Sequence, residues 1–366
     1  MSLTVKIPET GRVEAGRRLA RDLLGKAGFQ AVLVPKRVKS GAGEPPALIT
    51  SEKRMDEVNP FVGVMPVNTA AEVARMTKVT PFPGKTALIL RPCEMRALVE
   101  LEKLKQAKLD HAVRIAVDCP GTYPVKEFKD RAGDDPEKDL EKRLSGDAEG
   151  LRDACRACVH PAAPWADLRL ALFGTGGPVL VEALTPAGEE VVSALGYEET
   201  EAPERDAALD QERAKRDAFR ETFQTDFLAS VKGREAFLDY LSTCLRCQNC
   251  RTVCPLCYCK ECFFDSPTFE LEAEKYLGWA GPRGALRIPA DTLLFHLTRL
   301  NHMVHSCVAC GMCTQACPAG IDVGALFSSV GRNVQKVFAY EPGKSPDDEL
   351  PLSTFREEEL EVFGGK

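Results

Sequence analysis

No stretch of this sequence sustains the roughly 20 consecutive apolar residues that a helix needs to cross a bilayer. Its first residues, MSLTVKIPETGRVEAGRRLARDLL, hold no apolar core of signal-peptide length either. A cytoplasmic protein without a membrane span is the expectation. Basic charge is also scarce: 48 Lys and Arg against 54 Asp and Glu leave a net charge of -6. Binding nucleic-acid phosphates requires a basic face, so nucleic acid is not expected as the main partner. Histidine is limited to His111, His160, His296, His302 and His305, and none falls in a recognisable hydrolytic motif. No G-x-G-x-x-G follows a strand, and GTGG at 174–177 reads as a turn before PVLVEAL, so the dinucleotide fingerprint is missing.

Cysteine, by contrast, is abundant. Fifteen thiols are too many for packing, and an odd number cannot form a closed disulfide set. Metal ligation in a reducing compartment accounts for them better. Eight fall in two runs, Cys244, Cys247, Cys250, Cys254 and Cys307, Cys310, Cys313, Cys317, each followed by proline (Pro255, Pro318). Both match C-x2-C-x2-C-x3-C-P, in which three thiolates hold one 4Fe-4S cluster and the fourth reaches to the other. The crossed assignment places Cys244, Cys247, Cys250 and Cys317 on one cluster, and Cys307, Cys310, Cys313 and Cys254 on the second. Zinc sites use pairs of ligands separated by a finger loop, which argues against a zinc scaffold. Each proline stops the local helix where the chain turns to send its last thiolate across.

In the N-terminal half, Val13 to Leu24 has helical spacing and AVLV at 31–34 reads as a strand. TALIL (86–90), EMRALVELEKLKQ (94–106) and VRIAV (113–117) form a β-α-β unit, which predicts parallel strands and an α/β domain with a parallel sheet. LRLALF (168–173) and PVLVEAL (178–184) complete that sheet. Cys93 and Cys119 leave the carboxyl ends of the two parallel strands, the rim where open sheets bind ligands, and Cys93 opens a helix. With Cys155 and Cys158 of CRAC they make a candidate four-thiolate set for a third 4Fe-4S cluster; the competing reading is two buried strand-end thiols and a lone surface pair. The charged run 130–149 reads as a solvated face.

RPCEMRALVELEKL, the later DCPG and CxxC, and the C-terminal cysteine runs together resemble the beta-subunit family of coenzyme F420-reducing hydrogenases and formate dehydrogenases. The resemblance spans roughly residues 10 to 335. It implies one cluster on Cys93, Cys119, Cys155 and Cys158, an FAD beside it, and a role as an iron-sulfur flavin subunit passing electrons between a dehydrogenase or hydrogenase and a soluble carrier. Three units are expected: an α/β flavin and iron-sulfur domain (1–205), a mainly helical two-cluster ferredoxin domain (206–335) and an acidic tail (336–366) that wraps the surface or a partner. The polar helix 198–223 marks the boundary. A helix over 224–243 delivers Cys244, with Phe227, Leu228, Val231, Phe237 and Leu241 near one face, and a second over 291–305 delivers Cys307, with Leu294, Leu297, Leu300 and Val304 as its apolar stripe. Cys257, Cys259 and Cys262 remain; they either shield a cluster or join His302 or His305 in a further metal site. The expected function is electron transfer within a multisubunit anaerobic oxidoreductase, with a hydrogenase, formate dehydrogenase or heterodisulfide-reductase type partner and F420, NAD(P)H or ferredoxin as carrier. A flavin-free iron-sulfur relay is the competing account.

Overall fold

The computed structural model describes residues 3–38, 43–269, 272–284, 291–351 and 353. The first half of the chain builds an eight-stranded sheet from β1 (Thr4–Lys6), β2 (Ala31–Pro35), β3 (Pro46–Ile49), β4 (Thr86–Leu90), β5 (Ala112–Val117), β6 (Leu168–Ala171), β7 (Leu180–Ala183) and β8 (Glu198–Glu199), in the order β3-β2-β4-β5-β6-β7-β1-β8. Strands β2, β4, β5 and β6 run parallel. The remaining pairings are antiparallel, so the expected parallel sheet is in fact mixed. The reason is visible between β6 and β7. Their connection is a glycine-bearing turn, too short for the crossover that a parallel return requires. Gly174 there has φ of +67°, and a Cβ on it would stand 2.6 Å from the Arg205 backbone, so both turn and close approach require glycine.

Alternation in the parallel strands sends side chains to two cores. Val32, Val34, Ala87, Ile89, Val113 and Ile115 face one side, where helix α1 (Arg12–Gly25) contributes Val13, Leu19 and Leu23. Leu33, Leu88, Leu90 and Ala116 face the other, under α2 (Thr69–Thr77) and α3 (Pro92–Lys103). Helix α3 starts two residues before the expected span because Pro92 suits the first helical position. Leu256 and Val308, from the C-terminal cysteine region, pack into this second core. The cysteine-rich segment is therefore seated on the sheet domain.

The charged run 130–149 is less solvated than expected. Within α4 (Pro136–Ser145) Asp139 and Arg143 form a buried ion pair, and Arg143 also donates to the carbonyls of Phe61 and Gly121. Glu137 caps α1 from a distance, accepting from the backbone N–H groups of Arg12 (3.0 Å), Val13 (2.8 Å) and Glu14 (3.3 Å). Since α1 has no side-chain cap of its own, Glu137→Ala should cost about 0.5–2 kcal/mol, read as a lower urea midpoint.

The expected boundary helix is a brace. Helix α5 (Arg205–Ser230) is one continuous 26-residue element, which corrects the division into 198–223 and 224–243. No breaker occurs before Gly233, whose φ of +91° ends the run, and α6 (Arg234–Tyr240) follows. At one end Arg205 pairs with Asp118 and Glu182 of the sheet; further along Arg332 of the last long helix pairs with Glu221 and donates to Gln224. Among the described residues no strand follows β8; α7 (Thr292–Met303) and α8 (Val323–Val337) flank the cysteine runs. The stripe expected on α7 is also corrected. Leu294 and Leu297 are 48% and 45% exposed, and the buried face carries Phe295, His296 and Arg299. The start of the tail docks on α3: Gly343 N–H and Tyr340 O–H donate to Glu100, and Arg96 donates to the Pro342 carbonyl. The rest of the acidic tail, residue 352 and residues 354–366, lies outside the described residues. No described helix is long and apolar enough to cross a membrane.

Candidate metal centres

The two cysteine runs fold as copies of one another. In the first, Arg246 and Gln248 adopt positive φ (54° and 61°); in the second, Ala309 and Gly311 do so at the same two places (55° and 70°). The third cysteine of each run then sits on a single helical turn, Asn249–Thr252 or Met312–Gln315. Left-handed residues alternating with ordinary ones turn successive N–H groups toward one concave side, a cradle for anions such as thiolate sulfur. Arg246 N–H accordingly points at Cys244 Sγ, 3.4 Å away, and Ala309 and Met312 N–H groups bond to Cys307 and Cys310. A spacing rule reveals none of these backbone donors; Gly311 is their only trace in residue type.

Three pockets or groupings gather twelve of the fifteen thiols. Cys244, Cys247, Cys250 and Cys317 line one pocket, with Phe295, His296, Ile321 and Val323 around them. Cys307, Cys310 and Cys313 stand as neighbours, and Cys254 and Cys310 both pack against the second core, the one that holds Leu256 and Val308. Cys93, Cys119, Cys155 and Cys158 line a third pocket at the carboxyl ends of β4 and β5. The sequence separation is bridged locally. Cys119 N–H donates to the Pro161 carbonyl (2.8 Å), Arg152 N–H to the Thr122 carbonyl (3.0 Å), and so the CRAC turn is pinned beneath the strand ends.

Electrostatics differ among these thiols. Burial pushes Cys93 well up, with the Glu94 charge adding to it. Burial also acts upward on Cys155, but Arg152 and the Thr122 hydrogen bonds outweigh it and hold that thiol below its ordinary value. Arg152 reaches Cys155 Sγ at 3.3 Å and the Cys310 carbonyl at 3.3 Å. Cys310 itself lines the third pocket. Close packing seals this junction, since a Cβ on Gly311 would fall 2.4 Å from Ala154 Cβ.

Among the described residues, no three His, Cys, Asp or Glu side chains close to the span of one metal ion. The thiols ring a space instead. Four soft sulfur donors around a space, with backbone N–H groups turned toward them, suit a thiolate-bound iron-sulfur centre. Comparison with known proteins agrees. The 4Fe-4S dicluster domain family matches residues 240–321. The F420-dependent formate dehydrogenase subunit beta of Methanocaldococcus jannaschii is 26% identical, over 91% of this chain and 92% of the relative. The F420-dependent formate dehydrogenase 1 subunit beta of Methanococcus maripaludis is 27% identical, over 73% of this chain and 75% of that one.

The chain is thus similar, along most of its length, to the beta subunits of F420-dependent formate dehydrogenases.

A chain of the F420-reducing NiFe hydrogenase complex from Methanosarcina barkeri aligns with it at a TM-score of 0.43 and 14% identity, covering 63% of this chain and 91% of that one. In this chain the three remaining cysteines face separate neighbours. The Cys257 thiol points at the Met303 sulfur (3.5 Å) beside Cys254, Cys262 bonds to Arg251, and Cys259 is exposed. His305 packs edge-on to Phe338 and His302 is exposed, so neither joins them. Sequence reasoning missed His296 and Arg299, which face the first run from α7. Burial, together with the Arg299 charge, holds His296 down at about 4 and hence neutral. Polar residues among leucines on a helix read as the outward face, and here the core they point into is sulfur.

Proposed function

We propose that this chain is a beta-type electron-transfer subunit with three 4Fe-4S clusters and one FAD, linking F420 or another soluble carrier to a formate dehydrogenase, hydrogenase or heterodisulfide-reductase type partner. The observation that carries the reading is Cys310. It belongs to the second run and also lines the pocket of Cys93, Cys119, Cys155 and Cys158, so the dispersed site adjoins the ferredoxin module. Arg299 touches Cys250 and Cys257, the latter beside Cys254, and so joins the second site to the first. The first run then meets solvent, with Cys247 exposed and Leu245 68% exposed. The order supported is dispersed site, second run, first run, surface. The cysteines bind and space these centres, and the surrounding core excludes water.

A cleft of about 860 Å³ between the CRAC turn, α5, α8 and the tail is the site best suited to the flavin. It is within the size range of cofactor pockets. Cys158 and Cys307 both line it, beside Phe223, Arg220 and Arg332. When bound, a flavin exchanges electrons in pairs with a hydride carrier and singly with one-electron centres. The relatives' names favour F420 as that carrier. One observation favours the flavin-free relay instead: Asp347, Asp348 and Glu349 also line the cleft and would repel a dinucleotide's phosphates.

Anaerobic purification with flavin and iron quantified decides between them. About one flavin and about twelve irons per chain are expected, and Arg332→Glu should weaken flavin retention roughly tenfold or more with iron unchanged. Twelve irons without flavin would establish the relay; about eight would remove the dispersed site.

A further inference from the structure

We propose that His296 and Arg299 are positioning residues which, by donating hydrogen bonds to Cys244 and Cys250, raise the reduction potential of the first-run centre and make it the station where an electron comes to rest. The proposal rests on the reading that Cys244, Cys247, Cys250 and Cys317 hold a cluster. His296 and Arg299 lie three residues apart on the buried face of α7, at 2% and 3% exposure. His296 Nε2 is 3.4 Å from Cys244 Sγ; Arg299 donates through Nη1 to Cys250 Sγ (3.1 Å) and through Nη2 to the Cys250 carbonyl (3.1 Å).

Two details show that these side chains are built for an anionic sulfur site. A metal-bound thiolate has only lone pairs to offer, so the imidazole proton must sit on Nε2. That matches Nδ1, which is buried with no hydrogen-bond partner and carries only a lone pair in that tautomer. Arg299 is a buried cation whose partners among the described residues are the sulfur and carbonyl of Cys250 and the thiol of Cys257, with no carboxylate. A buried cation without a carboxylate needs negative charge from elsewhere. The stacking of its guanidinium near Phe295 and Phe327 fixes its direction.

Among the described residues the second run has no charged donor on a sulfur. Its sulfur donors are the neutral N–H groups of Ala309 and Met312 and the Asn68 side chain; Arg152 bonds to the Cys310 carbonyl and Gln335 to the Cys307 carbonyl, neither to a second-run sulfur. The backbone cradles are copies, so α7 supplies the asymmetry. Adding an electron to a thiolate-ligated centre adds a negative charge, and donors at the sulfur atoms favour that state. The centre nearest the surface is thereby the one that holds the electron longest, at the point where a partner can collect it.

The test is a redox titration of the anaerobic full-length protein followed by electron paramagnetic resonance, with Cys244→Ser identifying the signal of the first-run centre. His296→Leu and Arg299→Met should each lower the reduced-to-oxidised ratio of that signal about tenfold at the wild-type midpoint, about 59 mV for one electron. His296→Gln and Arg299→Lys, which keep a donor, should recover most of the shift. Unmoved midpoints, or a shift confined to signals that survive Cys244→Ser, would overturn the proposal. Should His296→Leu fail to retain iron, the wild type decides alone: with histidine selectively labelled with nitrogen-15, a coupling from the imidazole nitrogen to the reduced first-run centre supports the assignment, and its absence refutes it. A wild-type spectrum with no Cys244-dependent signal overturns the ligand assignment itself, a distinct failure.

Discussion

Alanine in place of Cys155 takes about four iron atoms from the anaerobically purified protein, from about twelve to about eight, whereas alanine in place of Cys257 or Cys259 takes none. Cys155 is the thiol best prepared to bind as thiolate. Arg152 donates to its sulfur at 3.3 Å and the Thr122 hydroxyl lies 3.4 Å away. The other three sulfurs of the set come from the first turn of α3, the segment just after β5 and the CRAC turn, elements fixed by their own hydrogen bonds, so removing one donor should leave the pocket standing with three. Three thiolates hold a four-iron cluster poorly. Cys257 meets Met303, Arg299 and Cys254, and Cys259 faces solvent. Iron and acid-labile sulfide per chain are the measurements. An unchanged iron count in Cys155→Ala would remove the dispersed site and end the electron route at Cys310. Iron lost in Cys257→Ala would move the fourth ligand of the second centre from Cys254 to Cys257.

Much of this arrangement was legible in the residues because it is local. TALIL and VRIAV are largely apolar runs, the second interrupted by Arg114 alone, and strands buried on both faces read that way. The repeated cysteine spacing is likewise a short-range signal. The antiparallel edges were not legible: β1 pairs with β7 and β8 across most of the domain, and β8 is two exposed glutamates that carry no strand pattern. Helix α5 misled for a different reason. Its sequence is charged throughout, which reads as a solvated linker, yet Arg205 and Arg216 are buried because their partners are buried too: carboxylates for the first, the carbonyls of Cys119 and Cys158 for the second. The α7 error has the same origin. Hydrophobic periodicity assumes an apolar core, and where the core contains thiolates the inward face is polar.

Arg205→Leu should destabilise the sheet domain by about 3–5 kcal/mol, on the order of 10 °C in its thermal midpoint. Arg205 opens α5 and is buried with two acids, Asp118 from the end of β5 and Glu182 from β7. Its guanidinium donates at 2.7 and 3.2 Å to Asp118 and at 3.0 Å to Glu182, and also to the Phe173 carbonyl at 3.1 Å. Leucine fills some of the space but strands the buried Asp118 without a cation and leaves Glu182 with Arg169 alone (3.1 Å), which is where the large cost of breaking such a pair lies. Asp118 retains the N–H groups of Leu172 and Phe173. Adding Asp118→Asn, whose amide oxygen can keep those two bonds without the charge, should therefore recover part of the loss, and a double variant no more stable than Arg205→Leu would contradict this account. The consequence reaches the metal centre. Arg216, three turns along the same helix, holds the carbonyls of Cys119 and Cys158. With α5 no longer anchored at Arg205, the dispersed-cysteine site should release its iron at a lower temperature than the two ferredoxin-type sites, so heating the variant should remove about a third of the iron first. Simultaneous loss from all three sites would show that α5 does not act as an independent clamp on the sheet rim.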